Sequence, residues 1–134
     1  MPAIHSVDYD AKLITTTWEG EATDAMLYDA FKKYHAFLLN EPVLLEFNEV
    51  LNFSDVDLQN LTTQGLIQLT QIAFNIDHDR TQVTRIAIVV NSILAFGMAR
   101  MYEIYRSFSP KNKKKLRVFR DLDEALSWIE QDSD

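Results

Sequence analysis

One short apolar run constrains the fold of this chain more than any other feature. From Ile86 to Val90 the sequence reads Ile-Ala-Ile-Val-Val, five consecutive apolar residues without a polar residue between them. A strand without alternation is typical of a parallel sheet that is covered by protein on both faces. We therefore expect Arg85 to Asn91 to be an interior strand between two layers of helices.

The rest of the chain alternates predicted strands with predicted helices. Apolar and β-branched residues predict four further strands, at Ile4 to Asp8, Lys12 to Trp18, Val43 to Phe47, and Leu116 to Phe119. Apolar spacing and capping residues predict four helices, which begin after Thr23 or Asp24, after Ser54, at Ile93 and at Leu122. The order β-β-α-β-α-β-α-β-α predicts an α/β fold: a mostly parallel five-stranded sheet with an N-terminal antiparallel hairpin and helices packed on the sheet.

Length and composition limit the classes of protein that fit. The 134 residues predict a single domain, and the absence of cysteine excludes disulfides and a cysteine nucleophile. There is no apolar stretch of about 18 residues and no secretory signal, so we expect no membrane span and a cytoplasmic location. Neither a G-x-S-x-G motif nor a glycine-rich phosphate loop occurs. We therefore expect no catalytic residues, no cofactor and no enzymatic activity.

Charge is distributed unevenly along the chain. The net charge of -7 argues against nucleic acid as a partner. One segment is nevertheless strongly basic, with a single acid, Glu103, among its basic residues Arg100, Arg106, Lys111, Lys113, Lys114, Lys115, Arg117 and Arg120. Such a run is usually a solvated loop and helix end. The alternative is a docking patch for phosphate, an anionic head group or an acidic partner.

The C-terminal motifs resemble a known family. A strand, Leu116 to Phe119, runs into a helix that contains Glu-Ala-Leu-Ser-Trp from Glu124 to Trp128, and the strand from Arg85 to Val90 leads into Phe96 to Arg100. Together with the element order, these segments are similar to the SpoIIAA-like (STAS/SEC14-type) small bacterial domains. The resemblance implies a STAS-like fold and a role in protein interaction, or an apolar ligand held between sheet and helices.

The regulatory turn of STAS domains has only a partial counterpart in this sequence. The resemblance implies a phosphorylated serine or threonine at a strand-to-helix turn of the type Asp-Ser-Ser-Gly. The matching turn here runs from Asn52 to Asp57 and contains Ser54, but it lacks the Ser-Gly pair. A phosphate on Ser54 would face Asp55 and Asp57, and like charges oppose it. The resemblance by itself therefore does not carry the phosphorylation switch over to Ser54.

The histidines do not predict a metal centre. Asp77-His78-Asp79 is the segment that most resembles a metal site, but adjacent residues on a loop point in different directions. We expect a surface loop there, without metal. His5 and His35 have no local carboxylate or nucleophile partner and are predicted to be structural or exposed.

Two regions are predicted to bind a partner or ligand. The first is the set of turns at the carboxyl ends of the parallel strands, where open α/β sheets bind ligands, although plain helix capping explains the same polar residues: Asn52, Ser54, Asp55, Asn91 and Ser92. The second is the helix from Ile93 to about Phe108, which is apolar around most of its circumference. Its candidate residues, facing a partner or lining a cavity, are Phe96, Met98, Arg100, Met101 and Tyr105.

These observations favour a non-catalytic, cytoplasmic interaction or regulatory module of STAS-like type. Its predicted partner is another protein or a second copy of the chain, in a homodimer. The alternative is a carrier of a lipid-like or other apolar ligand. In that case the anionic head of the ligand would lie against Arg100, Arg106 and the run Lys113 to Lys115.

Overall fold

Five strands form one sheet, in the same spatial order as in the chain. The computed structural model describes residues 1–109 and 112–131. The strands are β1 (Ile4–Asp8), β2 (Leu13–Glu21), β3 (Asn48–Asp57), β4 (Thr84–Val89) and β5 (Lys114–Phe119). The helices are α1 (Asp24–Asn40), α2 (Thr63–Asp77), α3 (Ile93–Arg106) and α4 (Leu122–Glu130), with a 3₁₀ helix at Pro42–Glu46. β1 pairs antiparallel with β2, and the other neighbouring strands are parallel. The predicted α/β fold and element order are confirmed.

The strand order determines which face each helix covers. Each parallel crossover moves one strand further in the same direction, and right-handed crossovers of this kind place their helices on the same face. α1, α2 and α3 therefore form one layer, in which α2 packs between α1 and α3. α4 follows the last strand and packs against β3, β4 and β5 through the second core cluster, on the opposite face.

The apolar run at β4 lies inside the sheet, as predicted. β4 pairs with β3 on one side and β5 on the other. Ile86, Ile88 and Val90 belong to the main core beneath α1 to α3, whereas Ala87 and Val89 belong to the core beneath α4. Because both faces are covered, every second residue is apolar on each face, and the run shows no alternation.

The segment from Val43 to Phe47 is not a strand. Pro42 begins a 3₁₀ helix, and the side chains of Leu44 and Leu45 within that helix are buried. A short apolar run does not distinguish a strand from a buried helical turn, and the fixed φ of Pro42 favours the helical start. The third strand begins after this segment, at Asn48.

The predicted helix start at Ser54 is also wrong. Ser54 lies inside β3, which continues to Asp57 because its end pairs with Glu19 to Glu21 of β2 after a register shift. α2 begins later, where the hydroxyl of Thr62 accepts a hydrogen bond from the backbone N–H of Gly65 at 3.0 Å. The segment 52–57 is therefore a strand end, and not the strand-to-helix turn that the STAS comparison required.

Candidate interaction surface

α3 is fixed by its capping residue and by one buried face. The hydroxyl of Ser92 accepts a hydrogen bond from the N–H of Ala95 at 3.1 Å, which satisfies one of the free donors of the first turn. Ala95, Ala99 and Tyr102 are buried at helical spacing against the core. The helix is thus anchored on one side, and its opposite side faces away from the protein.

That opposite side carries an apolar stripe. Relative to Ile93, the positions i+4, i+7 and i+11 lie on one face of a helix, and Phe108 follows in the turn just after α3. We call this set, with Leu94 beside it, the outward stripe: Ile93, Gly97, Arg100, Ile104 and Phe108. The exposed fractions are 80% for Ile93, 57% for Leu94, 54% for Ile104 and 73% for Phe108. Single exposed apolar residues are ordinary, but a continuous exposed row marks an interaction surface.

The polar content of the outward stripe is small. Arg100 lies at its centre, and its guanidinium Nη1 is 3.4 Å from Oε1 of Glu103 on the same helix. Gly97 is exposed, and a Cβ placed on it would meet no atom within 4 Å. The stripe therefore offers a shallow gap at Gly97, between the larger side chains of Ile93 and Arg100.

Of the α3 residues predicted to face a partner or line a cavity, four lie partly inside the protein, and one of these, Met98, lines the apolar pocket beneath the helix. Phe96, Met98, Met101 and Tyr105 are half-buried and pack against the main core. Arg100 is exposed on the stripe. Sequence reasoning did not select Ile93 and Ile104 as site residues. The i, i+4, i+11 spacing of Ile93, Gly97 and Ile104 is the pattern that places them on one face of the helix.

The predicted binding edge of the sheet is adjacent to this stripe. Asp55, Asn91 and Ser92 line one open groove of about 600 Å³, together with Leu94 of α3. The side-chain amide of Asn91 donates to the backbone carbonyl of Ser54, which ties β3 to the start of α3. The structure thus brings these predicted residues together, and Leu94 connects the groove to the outward stripe.

Asn52 and Ser54 have structural roles at this edge. Asn52 is buried, and its Oδ1 accepts hydrogen bonds from the N–H of Ser54 at 3.1 Å and from its hydroxyl at 2.6 Å. The Ser54 hydroxyl therefore makes its hydrogen bond within the same chain, close to where β3 shifts register against β2.

An apolar pocket lies beneath α3, but it is small. Its lining includes Phe31, Phe53, Met98 and Tyr102, and its volume is about 40 Å³. A cavity that admits benzene measures roughly 150 Å³. The pocket is therefore too small for a lipid chain in this conformation.

The basic segment does not form one surface patch. Arg106 and Lys114 are buried, Lys115 and Arg117 are exposed on β5, and Lys111 lies outside the described residues. The expectation that Arg106 and Lys114 hold an anionic head group is wrong, because both are paired with acidic residues in the interior. Burial of a charge is costly, and pairing is what makes it possible.

The partner of Lys114 is Glu49 on β3. Oε2 of Glu49 is 2.7 Å from Nζ of Lys114 and 3.2 Å from Nη2 of Arg80, and the Tyr34 hydroxyl donates to Oε1 at 2.7 Å. Burial by itself raises the pKa of Glu49, but Arg80 and Lys114 lower it more strongly, to about 2. Burial lowers the pKa of Lys114 to about 8, because one carboxylate does not compensate for its desolvation and the nearby guanidinium groups.

Asp77 connects the remaining charges into the same cluster. Its Oδ1 is 2.7 Å from Nη2 of Arg106 and 3.5 Å from Nε of Arg80. Burial by itself lowers the pKa of Arg106, but Tyr102 and Asp77 raise it above its ordinary value. We call these five residues the buried charge cluster: Glu49, Asp77, Arg80, Arg106 and Lys114. Asp77 is thus an interior residue, and the expectation that it belongs to a surface loop is wrong.

His5 and His35 contact other side chains of the folded chain. Nδ1 of His5 is 2.8 Å from the Thr16 hydroxyl, and its ring stacks on Phe37 with centroids 3.8 Å apart. Nε2 of His35 lies 3.6 Å from Oδ2 of Asp79. Across residues 1–109 and 112–131, no group of three histidine or acidic side chains is placed to hold a metal ion. The same ranges contain no helix long and apolar enough to cross a bilayer.

Comparisons with family models, with curated proteins and with solved structures give no match to this chain. The STAS-like resemblance therefore depends on the element order and on the C-terminal strand and helix, and function has to be inferred from the surface itself.

Proposed function

We propose that this chain is a non-catalytic interaction module of STAS-like type that pairs with a second copy of itself through the outward stripe of α3. The observation that supports this proposal is the exposure of Ile93 and Ile104 on one face of a well-anchored helix, with Phe108 exposed in the turn that follows it. Water contact with these side chains costs free energy in the isolated chain, and a partner surface would remove it. A cytoplasmic location stays a prediction.

The spacing of the stripe favours a second copy as the occupant. A two-fold axis perpendicular to the helix places an antiparallel partner against it. Each position then meets the partner's position that lies at the same distance on the other side of the axis. With the axis between Arg100 and Met101, Ile93 meets Phe108 of the partner, and Gly97 meets Ile104 of the partner. The large Ile104 side chain thus faces the gap at Gly97. The row is complementary to itself.

The charges on the stripe are compatible with this arrangement. Each Arg100 has Glu103 of its own chain as a counter-ion, so two-fold pairing brings no unpaired charge to the centre. The net charge of -7 on each copy repels the other copy at long range. Because salt screens this repulsion but leaves apolar contact intact, we expect added salt to strengthen the association.

The affinity should be modest. A helix of 14 residues is about 21 Å long, and one such contact is smaller than the roughly 800 Å² that each partner buries in a standard interface. We therefore expect a dissociation constant in the micromolar range or above, so that monomer and dimer exchange with concentration.

The test replaces one residue of the stripe. Ile104→Glu places a charge opposite Gly97 of the partner, and we expect it to abolish the dimer in sedimentation velocity across a concentration series. The matched control is Ile4→Glu, because Ile4 is 70% exposed and lies on β1, away from α3. The control should associate like the parent chain.

Two results would overturn the proposal: a parent chain that remains monomeric up to millimolar concentration at high salt, or equal loss of dimer in both variants. Native mass spectrometry of the same samples tests the carrier alternative. The apolar lining of the pocket beneath α3 supports that alternative, whereas the small volume of the pocket opposes it. A co-purified apolar molecule, retained by the Ile104→Glu monomer, would favour the carrier.

A further inference from the structure

β5 forms an open edge of the sheet. The strand order places it at one end, where it pairs with β4 alone from Lys114 to Phe119. The register between the two strands is continuous, and β5 contains neither proline nor glycine. A regular strand at an edge presents unpaired backbone N–H and C=O groups, which pair readily with an added strand.

Hydrogen bonds at the two ends of β5 show which of its residues bond to β4. The N–H of Thr84 donates to the carbonyl of Lys113, and the N–H of Val90 donates to the carbonyl of Phe119, both at 2.9 Å. Successive residues of a strand direct their backbone groups to opposite sides. The odd-numbered residues of β5 therefore bond to β4, and the even-numbered residues face the open edge.

Leu116 and Val118 are the residues whose backbone groups face that edge. Lys114 directs its N–H the same way, and this N–H donates to Oδ1 of Asn112 at 3.0 Å, outside the sheet. In the part of the chain that the structure describes, no further strand lies beyond β5. The N–H and C=O groups of Leu116 and Val118 are therefore available to an added strand.

The exposed side chains of β5 are cationic. Lys115 and Arg117 lie on the face of the sheet that α4 covers, and Cζ of Arg117 is 5.6 Å from the centre of the Trp128 ring. Within residues 1–109 and 112–131, neither cation forms an ion pair with a carboxylate. The next acid along the chain, Asp121, caps α4 by accepting from the N–H of Asp123 at 3.0 Å. The edge thus carries two positive charges beside its open backbone groups.

These charges determine which strand the edge admits. Like charges directly opposite each other destabilise a pair of strands, whereas opposite charges stabilise it. Lys115 and Arg117 therefore oppose pairing with a second β5 and favour an acidic strand. The other open edge, β1, carries Asp8 and is followed by Asp10, so it repels an acidic strand. The two edges differ in the charge of the partner that they accept.

We propose that β5 pairs with an extended acidic segment of a partner protein, which joins the sheet as a sixth strand. In strand addition, backbone hydrogen bonds give affinity and alternate side chains give specificity. The backbone bonds are made to Leu116 and Val118, and the carboxylates of the segment lie beside Lys115 and Arg117. The residues between those carboxylates are β-branched, because such residues favour a strand.

The experiment adds a capped hexapeptide of alternating glutamate and valine to the ¹⁵N-labelled full chain. We expect saturable shifts of the amide signals of β5. In hydrogen exchange, the N–H groups of Leu116 and Val118 should gain protection, whereas those of Lys115 and Arg117 already bond to β4 and should change little. Protection of alternate residues along one strand is the signature of strand addition, which charge attraction alone does not produce.

Variants of the chain measure the contribution of charge. Lys115→Gln and Arg117→Gln should each weaken binding about threefold, the size of one cross-strand charge pair. Lys115 is exposed, so its variant should keep the folded spectrum. The matched control, Lys33→Gln, removes an exposed charge on α1 and should leave the affinity unchanged. Ile104→Glu should also bind the peptide like the parent chain, which keeps this test separate from that of self-association.

A modified peptide separates strand pairing from charge. The same hexapeptide with every backbone nitrogen methylated keeps its carboxylates but donates no backbone hydrogen bond, and we expect it not to bind. Four results would overturn the proposal: no saturable shift in β5, no new protection at Leu116 and Val118, equal affinity for the methylated peptide, or equal weakening by Lys33→Gln. Equal affinity for a short DNA oligonucleotide of the same charge would overturn the assignment to an acidic protein segment.

Discussion

Two regions of this molecule reverse the usual distribution of polar and apolar residues. The buried charge cluster places three cations and two carboxylates inside the protein, at the amino end of the parallel strands. The outward stripe places bulky apolar residues in contact with water on α3. Both arrangements cost free energy, but they differ in how that cost is offset.

The difference lies in whether the compensating partners belong to the same chain. In the buried charge cluster, every member has an oppositely charged neighbour within 3.5 Å. On the outward stripe, the apolar side chains project from the face of α3 that the core leaves uncovered. The first region is therefore complete within the monomer, whereas the second region is the surface that we propose for self-association.

The largest expected effect comes from breaking the cluster at Glu49. Glu49→Gln removes the charge that compensates Arg80 and Lys114, and loss of one partner of a buried ion pair costs about 3–5 kcal/mol. Urea denaturation of the parent and the variant measures the difference in the free energy of unfolding. A loss below about 1 kcal/mol, typical of a surface ion pair, would show that the cluster is not a stabilising unit.

The same substitution tests the acid sensitivity of the fold. Glu49 has a folded pKa of about 2, below its ordinary value of 4.5, so its contribution is complete above pH 4.5 and is lost as the pH falls toward 2. A difference of this size is worth on the order of 3 kcal/mol. We expect Glu49→Gln to remove that part of the acid-induced loss of stability.

A smaller effect is expected when the excess cation is removed. Lys114→Met leaves Glu49 paired with Arg80 and leaves the Phe47 carbonyl without its donor at 2.6 Å, so we expect a loss of about 1–2 kcal/mol. Because the folded pKa of Lys114 is about 8 and its ordinary value is 10.5, the unfolded chain binds more protons between these pH values. Stability should therefore rise with pH across this window in the parent chain.

Denaturation at pH 7.5 and pH 9.5, compared between the parent and Lys114→Met, checks this expectation. The variant should lack the rise that depends on Lys114. An equal rise in both proteins would assign it to other groups, and a loss as large as that of Glu49→Gln would contradict the charge imbalance inferred for the cluster.

The smallest effect is expected on the outward stripe. Gly97→Ala adds a methyl group that meets no atom of the monomer and removes a flexible residue from a helix, so the monomer should gain roughly 0.5–1 kcal/mol. In the proposed dimer the same methyl group occupies the gap for Ile104 of the partner. Thermal denaturation at low concentration and sedimentation velocity at high concentration should therefore change in opposite directions.

The elements with strong local signals could be predicted from the sequence. The helix α4 begins at Leu122 behind its cap Asp121 and ends at Glu130, as its spacing indicates, and α1 begins behind Thr23. The continuous apolar residues of β4 predict an interior strand, which the structure confirms. In each case the residues that determine the element are adjacent in the chain.

β3 could not be recognised in this way. It contains Glu49, Asn52 and Asp55, which are unfavourable in an isolated strand, and the more apolar segment before it forms the 3₁₀ helix. Glu49 is tolerated in the sheet because Arg80, Lys114 and Tyr34 surround it. These residues come from distant parts of the chain, so no local pattern indicates them.

The sequence by itself determined the α/β class, the order of the elements and the interior position of β4, because periodicity and capping act over a few neighbouring residues. Tertiary structure alone decided which charges are buried and which apolar residues remain outside. Those choices depend on contacts between β3, the end of α2, the end of α3 and β5. Long-range electrostatics and packing, which have no period along the chain, therefore set the interior charge cluster and the exposed stripe.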